Sequence, residues 1–256
     1  MTTEKSSSLS SVTNAMKILR LFSPKQMELS VAEISQQMNL PTSSAHRLIT
    51  SLTKEGFLSK NPRSKKYRLG LAFLSIGGVI FSHRDLYQAS LSPVRRLSKE
   101  IEETVHICLM EDRYVVYLFR TEVLQQDRLL TQIGRQSPLF CTSEGLCILA
   151  FQEEKVIKYA LNGDLYAYTS HTETDKETLL VMMKDIKEDG HCILSDSYYE
   201  TYTGISVPIR NWTGAVISSL SAIGPTNRLT GERQQFIVDS MKKAAEEISA
   251  ELGYLG

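Results

Sequence analysis

Apolar residues recur at helical spacing in three places near the start of the chain. Val12, Ala15, Met16 and Leu19 form one stripe, extended by Phe22. Val31, Ile34 and Met38 form a second, and Ala45, Leu48, Ile49 and Leu52 fall at i, i+3, i+4 and i+7 as a third. Each predicts an amphipathic helix, and three such helices can share one small core. Local signals agree with this division. Ser30 and Glu33 make a Ser-x-x-Glu capping box before the second helix, Asn39-Leu40-Pro41 ends it, and Thr42 is placed to cap the third. After Gly56 the period shortens, and residues 57–60 and 67–69 predict two short strands around an Asn61-Pro62 turn.

Beyond that turn the pattern lengthens again. Residues 70–82 predict a helix that is apolar on several sides, which suits burial against a partner or within its own fold. A helix over 85–103 precedes "VHICLMEDRYVVYLFR", two strands around Glu111-Asp112-Arg113. Ser143 is placed to cap a helix running through Phe151. Further helices are expected at 152–161, at 175–189 behind a Thr174/Glu177 capping box and before Gly190, and at 231–252. Strands at 204–210 and 215–223 flank the turn "NWTG". The sum is a mixed sheet flanked by helices, an α+β sensor-like domain.

The polar positions on the third helix carry chemistry. At about 100° per residue, Ser43, Arg47, Thr50 and Lys54 lie opposite the apolar stripe, with Thr42, Ser44 and His46 beside them. Small hydroxyl residues let a helix enter the major groove, Arg can fork onto a guanine edge, and hydroxyls near a helix start can bond phosphates. Arg63, Lys65 and Lys66 make the following hairpin basic, as a wing beside such a helix would be. An ordinary helical hairpin remains the alternative for the two helices alone. Helix, corner, helix and basic hairpin in this order predict a winged helix-turn-helix that binds double-stranded DNA.

Charge sharpens the picture. Residues 1–70 hold eleven Lys/Arg against four Asp/Glu, leaving eighteen against twenty-five in residues 71–256, although the whole chain is neutral. This segregation fits a polyanion-binding module joined to an acidic domain, or a solvated lysine face. Composition adds exclusions. With 42% hydrophobic and 23% charged residues the chain is of ordinary globular composition. Cys108, Cys141, Cys147 and Cys192 form no Cys-x-x-Cys pair, so neither a metal site nor a cofactor is expected. The longest apolar run, over 69–81, is too short to cross a bilayer, and a cytoplasmic protein with no membrane partner is expected. No Gly-x-Ser-x-Gly, His-Glu-x-x-His, Walker or dinucleotide pattern occurs, so no enzyme and no catalytic residue is expected.

The stretch "LSVAEISQQMNLPTSSAHRLITSLTKEGFL" resembles the helix-turn-helix of the isocitrate lyase regulator (IclR) family of bacterial transcription factors. "CTSEGLCILAF" and "GISVPIRNWTGAVISSLSAIGPTNRLT" resemble its effector domain. The resemblance implies a winged helix-turn-helix over 9–70, a linker helix over 71–83 and a mixed α/β, GAF-like effector-binding domain over 84–256. It also implies a homodimer or homotetramer on a pseudo-palindromic operator, repressing or activating transcription in response to a small effector, often carboxylate-bearing or aromatic. Repression is the expectation; a DNA binder with a ligand-independent oligomerisation domain is the other reading.

Free N–H groups near Glu144 and Gly145 make the Ser143 corner a place for a carboxylate or a plain helix cap. Resemblance favours the first: Cys141, Thr142, Ser143, Glu144 and Gly145 match the family's pocket loop, and Ser197, Val207 and Ser221 fall at or near effector-contacting positions. Two departures stand out. Glu144 replaces a residue that is usually small, and Val207 and Ile223 offer no polar group. The effector so implied is larger, less acidic or more aromatic than a small keto acid.

Overall fold

The computed structural model describes residues 10–23, 25–82, 85–121 and 132–256. Residue 9 and the boundary residues 83 and 84 of the expected domains lie outside that set. The chain divides into two compact units between residues 83 and 84.

In the first unit, α1 (Ser10–Leu19), α2 (Val31–Gln37) and α3 (Thr42–Lys54) are followed by the antiparallel strands β1 (Leu58–Lys60) and β2 (Tyr67–Leu69), and then by α4 (Ala72–Ser82). Ile18, Leu29, Ile34, Ala45, Ile49, Leu52, Leu58 and Tyr67 form its core. The predicted stripe of α1 is met in part: Leu19 is buried and Ala15 and Phe22 pack against the core, whereas Val12 and Met16 are exposed and Ile18 enters the core in their place. Leu29 and Tyr67 exchange two backbone hydrogen bonds, 2.9 and 2.7 Å, which join the hairpin to the segment before α2, and both side chains enter the same core. The Ser30–Glu33 capping box forms as expected. On α4, Leu71, Leu74 and Ile76 beside or within its first turns are exposed, while Phe73 meets Phe57 edge-on at 5.3 Å.

The second unit contains α5 (Asp85–Ile101), β3 (Thr104–Glu111), β4 (Tyr114–Thr121), β5 (Gln136–Pro138), α6 (Ser143–Leu149), α7 (Glu154–Ala160), α8 (Lys176–Asp189), β6 (Cys192–Ser195), β7 (Tyr202–Arg210), β8 (Val216–Pro225) and α9 (Gly231–Glu251). Its α+β character is as expected, but each strand pairing is antiparallel, in the order β5-β4-β3-β8-β7-β6, so the sheet is not mixed. β5 and β6 were not legible, being three and four residues long with too little alternation to register.

Side chains alternate across a strand. On β7, Gly204 and Ser206 face α6, while Val207 lines a groove with Ala245 and Ser249 of α9. The α6 side also carries the apolar core shared by Leu146, Ile148, Leu149, Leu179 and Met183. Three caps differ from expectation. Thr142, not Ser143, caps α6; Asp175, not Thr174, caps α8; and α3 starts at Thr42 behind Pro41 with no side-chain cap. In each of the first two, the capping oxygen reaches the N–H three residues on, which fixes the cap one position from the Ser or Thr chosen by motif. The helix of 143–151 also stops at Leu149.

Candidate functional site

The outer face of α3 is wholly polar. Thr42, Ser43, Ser44, His46, Arg47, Thr50 and Lys54 are exposed, while Ala45, Ile49 and Leu52 are buried on the other side. The corner before it is pinned by local chemistry: Asn39 adopts a left-handed backbone (φ 50°), and Ser35 Oγ donates to the Leu40 carbonyl at 2.7 Å. Thr42 Oγ1 lies 3.3 Å from Ser35 Oγ, which joins the two helices rather than capping the second.

The hairpin tip is built by Asn61, whose Oδ1 accepts from the N–H groups of Arg63 (2.9 Å) and Ser64 (3.4 Å). Arg63 and Lys65 are exposed there. Lys66 is engaged differently: its Nζ lies 3.0 Å from Glu33 Oε1, tying the hairpin to α2. The same carboxylate accepts from the Ser30 N–H at 2.6 Å. That backbone bond first, and the Lys66 bond second, hold the Glu33 carboxyl down to about 2.

In the second unit, the corner before α6 opens into a cavity of about 30 Å³, room for about two waters. Cys141, Thr142, Ser143, Glu144 and Ser197 line it together. Gly145 does not; it lets α6 approach the preceding chain, since a Cβ there would lie 2.2 Å from the Leu139 carbonyl oxygen. Ser221 stands behind the cavity wall in a run of hydroxyls: Ser143 Oγ is 2.8 Å from Ser206 Oγ, which donates to Ser221 Oγ at 2.9 Å. Val207 is placed elsewhere, because the two-residue strand period turns it to the α9 groove, where Arg210 and Lys242 are neighbours.

Glu144 decides the electrostatics. It is 7% exposed, and its carboxylate accepts from Tyr117 Oη at 2.7 Å, from Ser143 Oγ at 3.1 Å and, more weakly, from Ser221 Oγ at 3.5 Å. The expected free N–H donors are in part already used: Gly145 N–H bonds Thr142 Oγ1 at 3.3 Å. Burial, then the Glu144 charge, push the Tyr117 hydroxyl and the Cys141 and Cys147 thiols up, so none is poised to ionise near neutral pH. Behind them His106 on β3, opposite Ser221, is 1% exposed, and burial, then Arg120, push its imidazole down to about 3.

The sequence reading missed Tyr117, Leu194, Tyr198, Tyr199 and Tyr202, which complete the wall together with Gly204 and Ile223. The pair "YY" at 198–199 was the available signal. Tyr198 meets Tyr199 at 4.5 Å between ring centroids and Tyr168 at 4.9 Å, making an aromatic cluster over the corner. Among the described residues, no group of His, Cys, Asp and Glu is placed to hold a metal ion, and no helix is long and apolar enough to cross a membrane.

Known proteins share both units. A family model for the IclR helix-turn-helix domain matches residues 11–62, and one for the C-terminal domain of bacterial transcriptional regulator IclR matches residues 79–250. The chain is 30% identical to the HTH-type transcriptional regulator KdgR of Escherichia coli over 96% of its own length and 94% of that protein. It is 32% identical to the regulator KipR of Bacillus subtilis over 95% and 97%. A solved IclR homologue from Microbacterium hydrocarbonoxydans, complexed with 4-hydroxybenzoate, superposes with a TM-score of 0.83 at 25% identity, covering 94% of this chain and 98% of that one. KdgR and KipR are transcriptional regulators, not enzymes. The exposed polar helix behind a capped corner and the hydroxyl-lined cavity under α6 thus sit in matched halves of one architecture, and the chain belongs to the IclR family of DNA-binding transcriptional regulators.

Proposed function

We propose that this regulator represses transcription by occupying a pseudo-palindromic operator as a homodimer or homotetramer, and that a small metabolite bound under α6 controls the occupancy. In this reading residues 9–70 bind DNA, 71–83 link, and 84–256 sense. The observation that carries it is the outer face of α3, eight exposed polar residues once Ser51 is counted with those named above, with no large side chain but His46, Arg47 and Lys54. Such a face sinks into a major groove, where Arg47 reads a base edge, the hydroxyls of Thr42, Ser43, Ser44 and Thr50 bond phosphates, and His46 and Lys54 flank. The exposed apolar side chains of Leu71, Leu74 and Ile76 support an oligomer, since they leave apolar surface for a second copy to cover. Two copies would present two α3 helices at the spacing of two half-sites. A ligand that favours one arrangement of the pair then changes operator affinity by a coupling free energy. Repression needs only that occupancy block a promoter, whereas activation needs a further contact with the transcription machinery.

Arg47→Ala is expected to weaken operator binding by about 1–3 kcal/mol and to leave the melting temperature within a degree or two. Fluorescence anisotropy against operator and scrambled duplexes checks it. Equal affinity of parent and variant for the operator would remove Arg47 from the reading face. A promoter-reporter assay separates the two signs of regulation, since deletion of the regulator raises expression if it represses and lowers it if it activates.

The two wing lysines are expected to behave differently. Lys65→Ala should weaken operator and scrambled DNA alike and flatten the salt dependence by up to about one unit, the loss of one phosphate contact. Lys66→Ala should in addition lower thermal stability, because it removes the Glu33 tie between hairpin and α2. If Lys65→Ala leaves the salt slope unchanged, that side chain touches no phosphate. If Lys66→Ala melts with the parent, the tie contributes nothing to the unit.

A further inference from the structure

Among the described residues of the second unit, two carboxylates are buried, and their surroundings treat them in opposite ways. Glu103, 2% exposed, accepts from Arg228 at 3.1 and 2.7 Å and from Arg233 at 3.2 Å, so its charge is matched by guanidinium groups. Glu144, 7% exposed, accepts only from hydroxyls among the described residues, and the lining of its cavity contains no Lys, Arg or His. Hydroxyls satisfy lone pairs but leave the net charge uncompensated in a medium of low polarity. A carboxylate offers about four acceptor sites, and three are engaged here, the Ser221 one at the limit of bonding distance.

Much of the remaining lining is aromatic. Tyr198, Tyr199 and Tyr202 line the cavity with Tyr117, and Tyr199 Oη is buried with no hydrogen-bond partner among the described residues. Aromatic faces carry negative potential and attract cations. The negative potential of the corner is felt by its neighbours too, since the Glu144 charge adds to burial in pushing up the Tyr117 hydroxyl and the Cys141 thiol.

We propose that the effector cavity of this regulator is built for a small ligand bearing a primary ammonium group, which ion-pairs with Glu144 against the tyrosine wall, rather than for a carboxylate. The inference rests on the reading of this cavity as the effector site. An ammonium donates to the remaining Glu144 acceptor position, supplies the missing positive charge and meets the ring faces. A carboxylate in the same place meets Glu144 head-on, and the hydroxyls that would receive it are already donating to that side chain. The free volume of about 30 Å³ restricts the head group to one of few atoms, unless the tyrosines move.

Three probes of matched shape, butylammonium, butyrate and 1-butanol, test it by ligand-observed NMR titration of the full chain at neutral pH. The parent is expected to bind butylammonium at least about tenfold more tightly than butyrate or butanol. Glu144→Gln should abolish that preference, and Tyr198→Leu should weaken butylammonium several-fold with little change for butanol. Tyr198→Leu keeps the test decisive if Glu144→Gln fails to fold. A parent that prefers butyrate, with binding lost in Ser143→Ala, would overturn the ammonium class while leaving the cavity as the effector site. Binding of any probe that is indifferent to Glu144, Ser143 and Tyr198, or no binding of any probe, would overturn the ammonium class together with the cavity assignment.

Discussion

Gly145→Ala is expected to destabilise the C-terminal unit by about 3 kcal/mol or more, the upper end of what overpacking costs. A Cβ at this position would lie 2.2 Å from the Leu139 carbonyl oxygen and 2.6 Å from the Leu139 Cα. Both are backbone atoms, so no side-chain rotation relieves the clash, and either α6 or the segment after β5 must move. Leu139 and α6 lie in the same buried cluster, which makes any such shift a repacking of the core. Urea unfolding followed by circular dichroism measures the change, with Ser143→Ala as a backbone-neutral comparison. A midpoint unchanged by the new methyl group would mean that the Leu139 segment yields freely, and the close approach would then not fix the position of α6.

Acid is expected to weaken the parent protein through His106. The sign follows from its depressed pKa: the buried ring is neutral in the fold down to about 3, whereas the unfolded chain takes up the proton near 6.5. The contribution is therefore complete above pH 6.5 and is lost progressively as pH falls toward 3. Relative to pH 8, the loss amounts to about 2 kcal/mol at pH 5 and about 3 kcal/mol at pH 4. His106→Asn should be less stable than the parent at pH 8 and should show a shallower fall between pH 7 and pH 5. Denaturant titrations of both proteins at three pH values provide the comparison. Parallel pH profiles would show that His106 is hydrated or charged in the fold, and would transfer the acid sensitivity to other groups.

Much of this architecture was legible in the sequence because it is governed by short-range signals. The capping box at Ser30, the corner at Asn39-Leu40-Pro41 and the stripe of Ala45, Ile49 and Leu52 depend on neighbours within two helical turns, and these features formed where expected. The polarity of the outer α3 face is a consequence of the same stripe. The hairpin β3–β4, turning at Asp112, was readable for the corresponding reason, since its strands are long enough for their alternation to register.

What only the tertiary structure decided is which of two equivalent-looking residues is used, and what lies opposite it. Thr142 rather than Ser143 caps α6, and Asp175 rather than Thr174 caps α8, because the cap is fixed by where the chain enters the helix. Lys66 looked like its neighbour Lys65 until the fold brought Glu33 within 3.0 Å, thirty-three residues away in the chain. Val207 looked like a cavity residue, but one step along a strand turns a side chain to the opposite face. The cavity itself joins Tyr117 on β4, Glu144 in the first turn of α6, Tyr198 in the loop after β6 and Ile223 on β8. No local pattern encodes that meeting, because sheet order places β8 between β3 and β7 regardless of their separation in sequence. The sequence by itself determined the helices, the corner and the basic hairpin, whose energetics are local; the pairing of strands distant in the chain, which is set by burial on both faces of the sheet, determined the chemistry around Glu144.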